Sequence, residues 1–454
     1  MAQPNTELGN LIERAGLSWA GLARRINDLA AGEEGLALRY DYTSVHRWVR
    51  KGERPRHPVP NLIARVLSER LGSRVVPADF GMINERSLAS RSLAYHVDES
   101  ATVETIVEIG RADVKRRNVI SAPFVLAALA GPSRDWLLAS LASLSGETGP
   151  RKVGFDQVAG IRDMFALFQE MDVMRGGGHA RVALVEYLNS WVLPLVRRDH
   201  GDHQVKLALY EAASEQAYLV GWMAYDDGSH GLAQRYLIQS LRLAQASGSR
   251  ALGAHVLAGM SDQANLLGHP REALALARTG QTGITVDDSP ACLADLQILE
   301  ARALAALGEA KPAAAAVARA ERTFARVQPD NEPEWARFID AAYLYGEAAH
   351  CFRDIDDPSG VDQFATASAE AAAQQRRARR GALSNAALAV GLLSRGQPEA
   401  AADKARQVVD LTAAVNSTRC LQAVTDLTTR LAPYRHLAEV QAFHHHAHDR
   451  LGIA

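Results

Sequence analysis

The sequence predicts an all-α protein: an N-terminal helix-turn-helix domain followed by a repetitive α-solenoid. Two observations predict it. Four short amphipathic segments stand between Leu8 and Leu71, with basic charge concentrated on the third. From about residue 205 to 430 alanine and leucine dominate, and glycine stands five places ahead of alanine at regular intervals.

Taken in order, Leu8, Leu11 and Ile12 supply a first helix, and LSWAGLARRI (17–26) a second. The third, DYTSVHRWVRKGERPRH (41–57), is the most informative stretch. Val45, Trp48 and Val49 fall at i, i+3 and i+4, the inward face of a helix. Ser44, Arg47 and Lys51 then look outward. A helix with a packed back and a hydroxyl-and-arginine front suits the DNA major groove, where arginine forks onto guanine. After Pro58 and Pro60, NLIARVLSERLG keeps helical spacing through Leu62, Ile63, Val66, Leu67 and Leu71. Between the second and third helices, Asn27 to Asp41 holds about a dozen more positions than the usual short turn. Either the second helix runs on through Leu29 to Ala31, or a loop leaves the domain.

Residues 1–83 therefore form the first domain, 84–101 a Ser-rich linker and 102–200 a helical connecting region. Helical patterns resume at Val103–Val114, Phe124–Leu129 and Trp136–Leu144, with a basic cluster at Lys115, Arg116 and Arg117. Phe165, Phe168 and Met171 make an apolar stripe that ends in three glycines. Gly177 and Gly178, followed by His179 and Arg181, have the makings of an anion nest with a helix N-terminus behind it. The plainer alternative is a helix–helix corner, since no P-loop Gly-Lys-Ser/Thr follows.

The repeat domain spans 201–454. Gly228 and Ala233, Gly268 and Ala273, and Gly308 and Ala313 mark three units at equal intervals. Gly396 and Ala401 follow at a little more than twice that interval, room for two slightly longer units. The middle unit reads as a helix over 334–352 and a second over 361–374. Such stacks bury a continuous core and leave a concave surface lined by the first helix of each pair. Tyr218, Trp222, Tyr225, Gln263, Asn265, Tyr343 and Tyr345 are the candidate lining residues. Buried amides need partners, so at least one of Gln263 and Asn265 is expected in the groove.

Composition narrows the function classes. The 454-residue chain has a net charge of −2, but residues 1–80 hold 12 Lys/Arg against 9 Asp/Glu, so nucleic-acid affinity rests on a local patch. The longest apolar run, near 122–130, contains Pro123 and is too short to span a bilayer. The N-terminus has no apolar signal core, and Cys292, Cys351 and Cys420 form no CxxC pair, which together predict a cytoplasmic protein with reduced core thiols. No HExxH, GxSxG, Walker A or Rossmann glycine pattern occurs, so neither catalysis nor a cofactor is expected. His444, His445, His446 and His448 are the one metal-like cluster. With only Asp449 nearby they read as an exposed helix end, and no metal is expected.

Residues 17–56 resemble the lambda-repressor/Cro (XRE-type) helix-turn-helix family, GLARRI matching its scaffold helix and TSVHRWVRKGERP its recognition helix. The resemblance implies base reading by Tyr42, Thr43 and Arg47, with Ser44 at the edge, and phosphate contacts from Arg50, Lys51 and Arg54. The glycine-x4-alanine phase resembles tetratricopeptide repeats, and in related repeat regulators groove asparagines hold the backbone of a signalling peptide. The whole chain is similar to actinobacterial regulators that pair these two regions, through VHRWVRKGERPR, MDVMRGGGHAR, LVGWMAYDDGSHGLA and LLGHPREALALA. It implies a transcription regulator that binds a double-stranded DNA operator as a homodimer and senses a small-molecule, peptide or protein effector. The alternatives are a repeat-based interaction scaffold without DNA binding and an enzyme using the GGGHAR corner.

Overall fold

The computed structural model describes residues 4–33, 38–56, 58–72, 75, 77–82, 92–95, 98–114, 123–129, 132, 136, 155–175, 180–198 and 202–453. Among them every regular element is helical, and no helix is long and apolar enough to cross a membrane.

Four helices form the N-terminal unit: α1 (Thr6–Arg14), α2 (Trp19–Glu33), α3 (Tyr42–Arg50) and α4 (Val59–Leu71). Leu8, Ile12, Leu22, Ile26, Val45, Trp48, Leu62, Leu67 and Phe80 meet in one core. Of the two ways to house the residues after Asn27, the chain takes the longer helix: α2 continues to Glu33. The return to α3 is fixed by Asn27, whose side-chain amide donates to the Tyr40 carbonyl (2.9 Å) and accepts from the Tyr40 N–H (3.0 Å). That amide satisfies the backbone where it leaves regular structure.

The stretch from 92 onward is bound rather than free. Ser92 is buried. The Gln239 amide donates to the carbonyls of Ser92 and Ala94 (3.1 and 3.0 Å), and the Tyr95 hydroxyl donates to Gln245 (2.6 Å). Helix α5 (Glu99–Val114) already starts inside the expected linker. Phe124–Leu129 holds a 3-10 turn at Leu126–Ala128 rather than a full α-helix. Val125 exchanges two hydrogen bonds with the Gln234 side chain (2.9 and 2.8 Å). Local sequence could not reveal this, because the amides that satisfy the extended backbone stand on a helix far downstream. Trp136 is buried in a slot between Gly253 and Gly283, where any Cβ would strike the indole. The remainder of the expected Trp136–Leu144 helix and Lys115–Arg117 lie outside the described residues.

Helix α6 (Phe155–Arg175) follows, then α7 (Arg181–Tyr187), a π-helical turn at Leu188–Val192 and the short α8 (Leu193–Val196). The solenoid is built of consecutive pairs: α9 (His203–Asp226) with α10 (His230–Ser247), α11 (Arg250–Leu266) with α12 (Pro270–Gly283), α13 (Pro290–Ala306) with α14 (Ala310–Phe324), α15 (Ala341–Asp354) with α16 (Pro358–Gln374), α17 (Ala378–Ser394) with α18 (Pro398–Ala413), and α19 (Thr418–Leu431) before α20 (Ala438–Leu451).

The punctuating glycines end helices, as their spacing implies. Gly228, Gly268, Gly308 and Gly396 lie at φ between 71° and 79°, the left-handed region that a Cβ disfavours. At each, the following N–H reaches back over the last turn to close the helix, as in His269 N–H to the Ala264 carbonyl (2.9 Å). Ala233, Ala273, Ala313 and Ala401 are wholly buried, where their small size lets paired helices approach.

The middle unit departs from expectation. Its turn residue is Asp356 (φ 54°), which stands nearer in sequence to Gly396 than to Gly308, so the two intervals are unequal. The surplus sits before α15. Residues 334–340 are a 3-10 turn and bend instead of the start of a helix, which begins at Ala341 under an Asp340 cap. Pro333 and the Asp340 carboxylate explain the late start. That bend carries Trp335 into the core, stacked on His255 at 4.8 Å.

Placing alanine at Gly308 forces a Cβ into the left-handed region and is expected to cost about 1–2 kcal/mol, whereas Asp356→Gly relieves the same strain and is expected to cost less than that. Urea unfolding midpoints of the two variants check the contrast.

Candidate functional site

Two surfaces carry chemistry. The first is the outward face of α3. Asp41 caps this helix: its carboxylate accepts from the Ser44 N–H (2.9 Å) and the Ser44 hydroxyl (2.9 Å), while the Asp41 N–H donates back to Ser44 (3.4 Å). These bonds hold the Asp41 carboxyl below its usual pKa. Ser44 is thus a buried capping residue, and its expected place on the outward edge is corrected. A hydroxyl three places past an aspartate cap is better satisfied by closing the capping box than by facing water.

The rest of the face is presented. Trp48 is 4% exposed and anchors the helix back, with Tyr40 edge-on at 5.0 Å. Thr43, Arg50, Lys51 and Arg54 are exposed. Arg47 is half exposed, and its guanidinium lies 3.7 Å from Glu53. Tyr42, 55% exposed, stacks on Trp19 (5.3 Å, 30°), with His46 edge-on to the same indole at 5.5 Å and Arg50 6.0 Å above it. Trp19 and His46 were not among the expected site residues. They share no face in sequence, and only the packing of α2 on α3 brings them together.

The second surface is the concave channel. Tyr218, Trp222 and Tyr343 border a cleft there with Asp172, Arg377, Arg379, Arg380 and Arg419. Tyr225 borders a neighbouring cavity with Asp262, Arg302, Glu347 and His350. Three expected lining residues are elsewhere. Gln263 is buried in the core, its amide donating to the His230 carbonyl (2.9 Å). Asn265 borders neither cavity. Tyr345 packs on Phe364 (5.8 Å) between paired helices. Helix rotation places 263 toward the partner pair, and a core carbonyl supplies the partner its amide needs.

What fills the channel instead is a chain of ion pairs. Arg379 bonds Asp172 (2.9 Å) and Asp226 (3.1 Å). Arg419 bonds Asp226 (3.0 Å) and lies 4.8 Å over the Tyr225 ring. Arg302 pairs with Glu347, which also takes Arg380 (2.9 Å). The Tyr225 hydroxyl donates to Asp262 (3.0 Å) and the Tyr343 hydroxyl to Asp295 (2.9 Å). Burial raises the Asp172 and Asp262 pKa values, partly offset by their arginines, and pushes Asp295 up to about 8. Glu347 lies well below the usual carboxylate range: the two arginines on it outweigh its burial. Burial alone holds the His255 ring down at about 3. The run RRARR (376–380) was the sequence signal for half of these cations.

Of the expected anion nest, Gly177, Gly178 and His179 lie outside the described residues. Arg181 is already committed to the Asp113 carboxylate, with Asp227 3.7 Å away. At the C-terminus, the His446 ring meets the Asp410 carboxylate at 2.8 Å, and among the described residues no group of His, Cys, Asp and Glu is arranged to hold a metal.

A family model described as the SP15 N-terminal domain matches residues 8–83, the span of the four N-terminal helices. No curated protein matches the chain.

Asp295 gives the channel a pH signature. Folded, it keeps its proton to about 8; unfolded, it sheds it near 3.8. The folded state therefore binds more protons between these values, and stability falls as pH rises through that window. His255 acts only below its ordinary 6.5, so above it the decline is carried by buried carboxyls: Asp295, Glu215, whose burial also raises its pKa to about 8, and, in the same direction, Asp172 and Asp262. Thermal midpoints are expected to fall from pH 6.5 to 8.5, and Asp295→Asn to flatten the decline.

Proposed function

We propose that this chain is a sequence-specific DNA-binding transcription regulator whose repeat domain carries dimerisation and senses a small-molecule, peptide or protein partner. One observation carries the reading: α3 is seated on a buried Trp48 while Thr43, Arg47, Arg50, Lys51 and Arg54 stay at the surface. A capped, rigidly packed helix with cations and an aromatic on its outer face has the shape and charge to enter a major groove.

In this reading Tyr42, Thr43 and Arg47 meet base edges near the start of α3. Arg50, Lys51 and Arg54, on its last turn and exit, meet phosphates and fix register. Two copies place two such helices roughly 34 Å apart on a pseudo-palindrome. A partner in the concave channel changes operator affinity to the extent that it favours one spacing of those helices. The chain works in the cytoplasm and catalyses nothing. The competing reading, an interaction scaffold that does not bind DNA, predicts no salt-dependent retention of duplex DNA.

The test is fluorescence anisotropy on a duplex selected from a random pool, measured across a salt series. The logarithm of affinity should fall linearly with the logarithm of salt concentration. Arg47→Ala should cost about 1–3 kcal/mol and relax preference at one base position, while Lys51→Ala weakens all duplexes about equally and lowers the salt slope by about 1. Equal losses from both variants on selected and random DNA would remove the division of roles, and absence of binding at low salt would remove the reading itself.

A further inference from the structure

Helix α6 lies across the concave channel, against α9, α17 and the 334–336 turn. Its inward residues are Val158, Ile161, Phe165, Phe168 and Asp172, all buried, at spacings of three, four, three and four. That is the stripe of a helix docked along a partner, with a carboxylate in the fifth apolar place. The acid is 2% exposed and is matched by Arg379, which Asp226 holds from the other side.

Three further polar contacts join α6 to the channel. The Gln216 amide donates to the Ile161 carbonyl (3.0 Å), Gln169 donates to the Trp335 carbonyl (3.5 Å), and Arg162 bonds Glu211 (2.5 Å) at the rim, 3.6 Å from Glu215. The fully buried part of the contact is the apolar stripe and the terminal carboxylate. Beside that carboxylate a small cleft of about 50 Å³, walled by Tyr218, Trp222 and Tyr343, stays open. On one flank of α6 Leu167 and Met174 are 49% and 37% exposed, with Met164 and Met171 half-buried against the core, while Asp156, Asp163 and Glu170 face solvent opposite the stripe.

We propose that α6 is the channel's built-in occupant, and that the partner the channel receives is a helical protein segment with the same pattern: four apolar residues at three-four-three spacing and a carboxylate one turn on. The idea rests on the channel being the sensing surface. Docking of such a segment means exchange with α6 at the Asp172–Arg379 latch.

The test uses the full chain and a fluorescein-labelled peptide of residues 155–175. The chain carrying Asp172→Asn, a near-isosteric change, loosens its own strap and should bind the peptide about tenfold tighter than the unaltered chain, the worth of one charge-assisted bond. Adding Arg379→Gln to that chain, or placing Asp172→Asn in the peptide, should each remove the gain. Compared on the unaltered chain as well, the two peptides need no change in the protein, and that arm is immune to misfolding. Equal binding by the two chains, or by the two peptides, overturns the proposal. Operator anisotropy with saturating peptide separates the two ideas: capture without any change in DNA affinity leaves strap exchange standing and removes sensing through the channel.

Discussion

Asp226 is the group on which the repeat domain's shape depends. Its side chain is fully buried, yet it accepts from Ser417 (3.0 Å), Arg419 (3.0 Å) and Arg379 (3.1 Å). Those partners stand on α17 and at the head of α19, far later in the chain. One carboxylate therefore ties the first unit to the last two across the superhelix axis. A buried charge is tolerable only while paired, and stripping one member strands the others in low dielectric. The same reasoning runs along the seam through Asp262, Arg302, Glu347 and Arg380. Leucines of similar volume would hold the ends together at least as strongly. They would not fix one register of closure, because apolar contact is non-directional and these hydrogen bonds are not.

The N-terminal unit solves a smaller version of the same problem. Its helices are short, so their ends are a large share of the structure, and each end exposes unpaired backbone groups. Asp41 and Asn27 answer with short polar side chains turned onto the backbone where the chain enters α3. Asn5 does the same at the start of α1, accepting from the Leu8 N–H and donating to the Phe80 carbonyl (2.7 Å). Structural duty thus falls on caps and on the Trp48 side of α3. Ser44 is the one outward candidate drawn into that duty. Tyr42, Thr43, Arg50, Lys51 and Arg54 keep their surface positions.

Much of this was legible in the sequence, and the boundary is physical. Glycine at a left-handed turn is a local necessity, so Gly228, Gly268, Gly308 and Gly396 gave the helix pairs away. Asp356 hid the middle turn because aspartate also tolerates that conformation, and the displaced 334–340 bend followed from that miss. Periodicity identified the inward face of α3 and, on α6, Phe165 and Phe168, since three- and four-residue spacing is an intrachain property; Met171, grouped with them, stands half-buried on the flank, and Asp172 takes the inward place. It could not say which residues line the channel. Gln263 faces the preceding pair and Tyr345 packs inside its own, and the channel is made by arginines whose partners belong to other helices, often distant ones. Nor could it show that Gln234 and Gln239 would clamp extended chain from before the repeats.

Those clamps bear on how a channel occupant could be felt at α3. The inner side of α9 borders the channel, and its partner α10 holds residues 92–95 through Gln239 and Gln245. Arg242 on α10 pairs with Glu99 at the head of α5 (3.0 Å), and Arg111 at its foot pairs with Asp79 (2.5 Å). Asp79 belongs to the 3-10 turn Pro77–Phe80, whose last carbonyl holds Asn5, and the Asn5 N–H donates to the Val49 carbonyl of α3 (2.7 Å). The route is contiguous and mostly polar. Contiguity alone transmits nothing, because coupling needs an element with two arrangements that both ends favour unequally. Packed solenoid pairs resist small continuous deformation. An occupant that left α6 in place would therefore have little to act on, whereas one that displaced it would unpair Arg379 from Asp172 and change the charge facing Asp226. The strap and the closure share that arginine, which makes the latch the point where channel occupancy and superhelix shape are the same event.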